Sequence, residues 1–481
     1  MRLSALVRRP VDPDPEITGL TADSRLVRPG WLFVALAGAR ADGRRFIGDA
    51  LTAGAAAVLT DEAIEGLAVP VVRACDPRRA YALAAAAFWG AQPETCVAVT
   101  GTNGKTSVVT FCRQILTRLG RNAASMGTLG VIAGDEQITP SGGLTSLDAA
   151  DTARLLAELA GRGVTHLALE ASSHGLHQRR LDGVRLAACG FTNLTQDHLD
   201  YHGDMEAYRD AKLRLFRALL PRGGTAVLNA DSDAFPAFAA AAILAGQTVL
   251  SVGERGQSLR LAHREAAPGG QLLSLKAKEQ TYRVRLPLVG AYQASNALVA
   301  AGLCIAVGED VGEALAALEH VEGAPGRLQR VGAGPRGGEA FVDYAHTPDG
   351  LETVLAALRP HARGRLIVVF GAGGDRDRGK RPLMGEIAAR LADLAIVTDD
   401  NPRTEQPASI RAAILAAAPG AREIGDRREA IAAAAAELGD GDILIVAGKG
   451  HERGQLVGDI THPFDDIAEV SAALGREAAR G

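Results

Sequence analysis

Cys96-Val-Ala-Val-Thr-Gly-Thr-Asn-Gly-Lys-Thr-Ser107 is the stretch around which the rest of the chain is organised. From Cys96 to Thr100 small and β-branched apolar residues follow one another, the pattern of a short buried strand. Gly101 and Gly104 allow a tight turn. From Ser107 onward Val108, Phe111, Cys112, Ile115 and Leu119 recur at helical spacing, and Gly120 suits a helix stop. Strand, glycine turn, Lys-Thr and helix make a phosphate cradle. Backbone N–H groups and the helix N-terminus face an anion, Lys105 reaches terminal phosphates, and the Thr106 hydroxyl suits Mg²⁺. The general phosphate-loop pattern has Gly where this chain has Val99, so Gly-Thr-Asn-Gly-Lys-Thr is a shorter and rarer variant. A plain glycine turn would not need both flanks. The stretch reads as a nucleoside triphosphate site.

The chain has 481 residues, 47% hydrophobic and 22% charged, enough for about three globular domains. A net charge of −4 gives no electrostatic case for nucleic acid or an anionic membrane. The five cysteines, 75, 96, 112, 189 and 304, are scattered and odd in number. A disulfide framework or zinc site is not expected, which suits a cytoplasmic protein. The N-terminus lacks the apolar run of a signal peptide. The stretch Ala237 to Leu250 is mostly alanine, broken by Gly246 and Gln247, and makes a poor membrane span.

Before the phosphate loop, Trp31 to Leu36 reads as a strand, Phe46 to Gly54 as a helix and Ala56 to Leu59 as a strand: a small α/β unit. Ser24 and Arg25 taken alone are turn residues. After the loop, Thr145 and Ser146 precede a helix carrying Leu155, Leu156 and Leu159, either as its N-cap or as hydroxyls for a ligand carboxylate or phosphate. The run Val164 to Glu170 reads as a strand that delivers Glu170 at its C-terminal end, where ligands bind in open α/β sheets. A carboxylate there can coordinate the Mg²⁺ of a bound nucleotide. Asn193 to Gly203 is dense in His and Asp, and the following helix, Met205 to Phe216, sets Lys212 beside Met205, Tyr208 and Leu215. A solvated or snorkelling lysine is the ordinary alternative.

Gly290 to Asn296 opens an Ala-rich helix, and Glu322 to Arg327 has the composition of a linker. Beyond it, apolar strands at 340–343, 365–370, 394–398 and 442–447 alternate with helices, which predicts a parallel, doubly wound sheet. Each strand runs into a polar loop: 343–348, 371–380, 399–403 and 448–452. Four such loops on one sheet edge point to a ligand site.

With these motifs together, Gly-Thr-Asn-Gly-Lys-Thr, Glu-Ala-Ser-Ser-His, Asp-His-Leu-Asp-Tyr-His-Gly, Asp-Tyr-Ala-His-Thr-Pro and Gly-Lys-Gly-His-Glu, the whole chain resembles the Mur ligases. It is most similar to the MurE type, which adds the third residue of the peptidoglycan stem peptide. The resemblance implies three α/β domains. These are a UDP-sugar-binding domain over 1–92, a central ATP-binding parallel-sheet domain over 93–325, and a Rossmann-like amino-acid-binding domain over 326–481. It implies ATP on Gly101, Thr102, Asn103, Gly104, Lys105, Thr106 and Ser107, with Asn296, Arg327 and Asp343. Mg²⁺ would sit between Thr106, Glu170 and His198, and Lys212, carbamylated, would help to hold a second Mg²⁺. A partly desolvated lysine has a lowered pKa, and its neutral amine can add CO₂.

The same resemblance puts the UDP-substrate on Ser24, Ala39, Arg40 and Ala41, with its peptide end on Thr145, Ser146, Ser172, Gln178 and Arg180. Asp400, Asn401, Pro402 and Arg403 would select meso-diaminopimelate, whose far carboxylate a guanidinium can grip bidentately. Arg376, Gly448 and Glu452 complete that site. The chain departs from the family pattern at Gln293, at Ser146-Leu147 and at Ala39. The implied reaction runs through an acyl phosphate, with Lys105, Glu170, His198 and Lys212 as the catalytic group. Domain closure is expected to exclude water. A monomer acting on small molecules in the cytoplasm is expected, touching neither nucleic acid nor membrane. The rival readings are a lysine-adding or folylpolyglutamate synthetase-like ligase and a non-catalytic nucleotide switch. Arg403 speaks against the first, and Glu170, His198 and Lys212 together against the second.

Overall fold

The structure, a computed structural model, describes residues 1–38, 42–139, 145–267 and 269–475, with Asp200 described by its backbone alone. The chain forms two compact units. One comprises Met1–Arg260 with Leu298–Ala314, the other Leu261–Ala297 with Leu315–Gly481. Both are α/β, as the sequence predicts.

In the first unit, strands Gly19–Thr21, Trp31–Val34, Ala57–Thr60 and Val71–Arg73 pair in that order as a parallel sheet. Helix Pro77–Trp89 covers it, and Leu32, Leu59, Tyr81 and Ala85 share one core. The predicted helix from Phe46 is a 3₁₀ turn, Gly43–Phe46, followed by the α-helix Ile47–Thr52. The larger sheet of this unit runs Thr248–Gly253, Thr225–Asn229, Leu186–Phe191, Thr95–Thr100, His166–Glu170 and Ala123–Gly127, all parallel, then turns antiparallel through Gly130–Ala133 and Glu136–Thr139. Thr95–Thr100 is central, paired on both sides, which explains its continuous apolar run. The helix predicted to end at Phe216 is α-helical over Met205–Arg214 and widens to a π-helical turn at Leu215–Leu219. The Gln247 side chain donates to the carbonyls of Phe216 and Leu220, 2.7 Å each, which satisfies acceptors that the wider turn leaves open.

In the second unit, a hairpin of Gly270–Ala277 and Gln280–Leu286 is antiparallel. A six-stranded sheet runs Gln329–Ala333, Glu339–Asp343, Ile443–Ala447, Leu366–Phe370, Leu394–Val397 and Arg422–Glu423, parallel except for its first strand. Alternation along Leu366–Phe370 builds both faces. Leu366, Val368 and Phe370 pack with helices Pro348–Leu358, Lys380–Leu391 and Pro407–Leu415. Ile367 and Val369 pack with helices Arg427–Glu437 and Asp466–Ala473. Each fully buried aliphatic side chain contributes about 1.5–3 kcal/mol. The sheet is doubly wound, as predicted. Among the described residues no helix is long and apolar enough to cross a membrane.

Candidate active site

The first unit holds the phosphate loop at the C-terminal end of Thr95–Thr100. Gly101 has φ +153°, and a Cβ there would fall 1.9 Å from Thr192 Oγ1, so only glycine fits. The helix begins at Lys105, two residues before the apolar pattern starts, with Gly104 in left-handed conformation at its N-cap and no side chain capping it. The first N–H groups of the helix therefore face the loop, where an anion can meet them. Lys105 Nζ donates to the carbonyls of Gly101 and Thr102, 2.9 Å each. Thr102 Oγ1 donates to Thr195 O at 3.1 Å and accepts from Thr195 N and from the Tyr208 hydroxyl. Asn193 Oδ1 accepts from Asn103 N at 3.0 Å.

Glu170 ends its strand as predicted and is buried, beside Thr106. Thr106 Oγ1 donates to Glu170 Oε1 at 3.0 Å, and Thr128 N donates to the same oxygen at 2.8 Å. Thr128 Oγ1 lies 3.3 Å from Glu170 Oε2 and 3.1 Å from Thr145 Oγ1. Gly127 makes room for this carboxylate, since a Cβ there would meet Glu170 Oε1 at 2.2 Å.

Lys212 is 1% exposed, and its Nζ donates to Gly101 O at 2.8 Å and lies 4.3 Å from the Tyr208 ring centre. Burial first, and then the Lys105 charge, push its pKa well below the usual lysine value, with Asp197 opposing. His198 takes a left-handed conformation at the start of Leu199–His202. Its ring lies 4.7 Å from His174 and 6.2 Å from Tyr208, and its Nε2 is 3.4 Å from Asp197 Oδ2.

Ser146, Ser172, Gln178 and Arg180 converge in the same unit. Ser146 Oγ donates to Glu170 O at 3.1 Å and sits 3.0 Å from Ser172 Oγ. Arg180 donates to Ser146 O and to Gln178 Oε1. Thr145 and Ser146 are not helix caps. Asp148 caps helix Ala149–Gly161, its Oδ1 accepting from Ala150 N at 2.9 Å, because a carboxylate adjoining the first turn reaches that N–H and the earlier hydroxyls do not. Ser24 opens the turn Ser24–Leu26 after the first strand, with Asp23 as its cap. Ala39, Arg40 and Ala41 lie outside the described residues.

In the second unit, Asn296, Arg327 and Asp343 come together. Asn296 Nδ2 donates to Gln293 Oε1, and Gln293 Nε2 donates to Arg327 O. Asp343 accepts from Leu328 N at 2.5 Å and Ala345 N at 2.8 Å, and burial pushes its pKa up. The Arg327 guanidinium lies 4.5 Å from the Tyr344 ring centre. Gln293, a departure from the family pattern, is thus the link between Asn296 and Arg327.

The loops after Leu394–Val397 and Ile443–Ala447 form a second cluster in this unit. Arg403, with φ +53°, is pinned by its N–H on Leu456 O and its carbonyl on Gly458 N, and its Nη1 donates to Gly374 O at 2.8 Å. Asn401 Nδ2 donates to Glu452 Oε2 at 3.1 Å. Asp400 Oδ2 is buried without a hydrogen bond, and a Cβ on Gly448 would lie 2.5 Å from it. Pro402 is buried, and Arg376 is exposed on the loop after Leu366–Phe370. Sequence reading missed Thr128 and Thr192, and gave no role to Asn193 or Tyr208. Asn193 carried a signal, since it opens the stretch dense in His and Asp.

Family models match three stretches of the chain. They are the Mur ligase middle domain over residues 99–304, the Mur ligase glutamate ligase domain over 326–450 and the Mur ligase family catalytic domain over 16–89. The chain is 68% identical over 479 residues to the UDP-N-acetylmuramoyl-L-alanyl-D-glutamate–2,6-diaminopimelate ligase of Caulobacter vibrioides, covering 98% of each. It is 55% identical to the ligase of the same name from Bradyrhizobium diazoefficiens, covering 96% of each. A solved structure of a ligase of that name matches with a TM-score of 0.72 at 35% identity, over 97% of this chain and 95% of the other.

Proposed function

The chain belongs to the Mur ligase family, and from that premise we propose that it joins meso-diaminopimelate to the D-glutamate γ-carboxyl of UDP-N-acetylmuramoyl-L-alanyl-D-glutamate. It does so as an ATP-dependent, ADP-forming amide ligase of peptidoglycan precursor synthesis. The observation that carries this reading is the 68% identity, held over 98% of both chains, with a ligase of that name.

In the proposed reaction the γ-carboxylate attacks the terminal phosphorus of ATP, the bond to ADP breaks, and an acyl phosphate forms. The amine of diaminopimelate then adds to the acyl carbon, and collapse of the tetrahedral intermediate releases phosphate and leaves the amide. Gly101 to Ser107 bind the triphosphate, and Lys105 turns from its two carbonyls to the terminal phosphates. Asn296, Arg327 and Asp343 serve the nucleotide. Ser24, Ala39, Arg40, Ala41, Thr145, Ser146, Ser172, Gln178 and Arg180 serve the UDP-substrate. Arg376, Asp400, Asn401, Pro402, Arg403, Gly448 and Glu452 serve diaminopimelate.

The residues present fit Mg²⁺. Thr106 and Glu170 offer hard oxygens side by side in a cradle that a Cβ at Gly127 would fill. Among the described residues no three His, Cys, Asp or Glu side chains converge as a metal site. Thr106, Glu170 and His198 would hold the ion, and carbamylated Lys212 would help to hold a second. When bound, Mg²⁺ neutralises charge on the transferring phosphoryl group. Burial and the lowered pKa of Lys212 support the carbamate. The proposed domains are 1–92, 93–325 and 326–481, in a cytoplasmic monomer.

The test is phosphate release from ATP with the UDP-dipeptide and either meso-diaminopimelate or L-lysine. Release that requires diaminopimelate, and that Arg403→Ala weakens through a raised KM for it, supports the reading. Equal release with lysine removes the specificity, and no amino-acid-dependent release removes the ligase.

A further inference from the structure

We propose that Lys449 is a positioning residue for the amino-acid site: it fixes the Asn401 amide so that Nδ2 faces Glu452, and it steadies the Glu452 carboxylate. This rests on the functional reading above, which assigns Asn401 and Glu452 to diaminopimelate and gives Lys449 no role.

A lysine in a Gly-Lys-Gly loop is ordinarily solvated. The Lys449 side chain has 0% exposure. Its Nζ donates to Asn401 Oδ1 at 2.8 Å and lies 3.5 Å from Glu452 Oε2. Asn401 Oδ1 accepts a second bond, from Leu456 N at 2.9 Å. An ammonium and a backbone N–H can only donate, so both require oxygen at that end of the amide. The Asn401 NH₂ group is thereby turned to Glu452 Oε2, at 3.1 Å. Without Lys449 only Leu456 N would orient the amide, and the Glu452 carboxylate would lose its buried cation.

Packing alone does not call for an ammonium here. Burying a charge costs several kcal/mol unless it is paired, and an apolar side chain of similar size would fill the space more favourably. Burial disfavours the ammonium most, the carboxylates of Asp400, Glu452 and Asp466 favour it, and the Arg427 charge opposes it. These are the groups of the amino-acid site and their support.

The test compares Lys449→Met, Asn401→Ala and the double variant in the ligase assay, with the wild type run first. A wild type without diaminopimelate-dependent phosphate release overturns the functional reading and with it this proposal. With an active wild type, Lys449→Met is expected to raise the KM for diaminopimelate about 10-fold, the effect of one lost buried polar contact. The KM values for ATP and the UDP-dipeptide should stay within about 2-fold, and kcat within about 3-fold, because no transition-state contact is removed. The double variant should raise the diaminopimelate KM by less than the product of the two single effects, since the lysine acts in part through that amide. Equal rises in all three KM values, an unchanged diaminopimelate KM, or multiplying effects in the double variant would overturn the proposal. Lys449→Leu, which also removes the donor, carries the same comparison if the methionine variant does not fold. A diaminopimelate-specific KM rise supports the proposal, and a uniform one overturns it.

Discussion

Thr106 and Glu170, 64 residues apart in the chain, meet through a 3.0 Å hydrogen bond between Thr106 Oγ1 and Glu170 Oε1. The pairing follows from the sheet. Strand Thr95–Thr100 lies parallel to His166–Glu170 with Val99 opposite Glu170, so the loop that follows one strand and the carboxylate that ends the other share one edge. The open-sheet rule that ligands gather beyond strand C-termini here acts on two named side chains.

Gly127 is the position at which this relationship can be broken without touching either residue. An alanine Cβ would stand 2.2 Å from Glu170 Oε1 and 2.6 Å from its Cδ. The carboxylate must swing away from Thr106 to admit it. Gly127→Ala is expected to cost about 1–3 kcal/mol of stability through overpacking and to lower kcat at least about 100-fold through the displaced carboxylate. Gly161→Ala, where a Cβ meets nothing within 4 Å, is the control. A Gly127→Ala enzyme that kept wild-type kcat would separate Glu170 from the reaction.

Lys212 should carry CO₂ at neutral pH. Burial beside Lys105 disfavours its ammonium, so its neutral amine is populated at a pH where a surface lysine stays protonated. A folded pKa below the unfolded one means that rising pH favours the neutral, reactive form and falling pH reverses it. Labelling with ¹³C-bicarbonate should give a carbamate carbon resonance in the wild type that fades on acidification and is missing in Lys212→Ala. The same variant should lose about 100-fold or more in kcat. No labelled resonance at saturating bicarbonate would sink the carbamate.

The contrast between Lys212 and Lys449 shows what was legible in the chain. Lys212 shares a helical face with Tyr208, a relation that spacing alone reveals. Lys449 is buried by Asn401 and Glu452 in a loop without periodicity, and only the folded sheet brings Asn401 near it. Thr128 escaped for a similar reason. It follows a strand, Ala123–Gly127, too rich in small residues to read as one, and its hold on Glu170 depends on the missing Cβ of Gly127. The strand–loop–helix at Lys105 and the doubly wound sheet were readable, because continuous apolar runs and glycine turns are local signals. For Thr145 and Ser146 the sequence leaves cap and ligand hydroxyl both open, and only the backbone geometry that makes Asp148 the cap of Ala149–Gly161 decides between them.

Glu405 sets an acid limit on the loop that carries Arg403. Its carboxylate accepts from Arg381 at 2.8 and 3.1 Å and from Asp375 N at 2.7 Å, with Arg378 3.3 Å away. These partners, Arg381 foremost, push its pKa down from 4.5 to about 2. Folded below unfolded, the shift stabilises the protein fully above 4.5, and the contribution is lost as pH falls toward 2. The urea midpoint of the wild type should exceed that of Glu405→Gln at about pH 7, and the gap should narrow by about pH 3. A gap that stayed constant across that range would show that the carboxylate charge is not what stabilises the loop.

Among the described residues of the second unit, Arg427 and Asp466 form the most deeply buried ion pair, both side chains at 0% exposure. Arg427 Nε and Nη2 donate to the two Asp466 oxygens at 2.8 and 2.7 Å, and Nη2 also donates to Ala447 O at 3.0 Å. Each residue begins a helix. A carboxylate there is favoured by the helix dipole, whereas a guanidinium is not, so Arg427 is held by Asp466 and by the carbonyl that precedes Gly448. Asp466→Asn should therefore leave a buried, half-paired guanidinium and cost about 3–5 kcal/mol in urea unfolding. Replacing both partners, as in Arg427→Met with Asp466→Leu, should cost less than Asp466→Asn alone, because no charge remains to be compensated. The double variant still loses the bond to Ala447 O, so its KM for diaminopimelate should rise even where its stability recovers. A double variant less stable than Asp466→Asn would mean that the pair contributes net stability and is not held chiefly for the loop it supports.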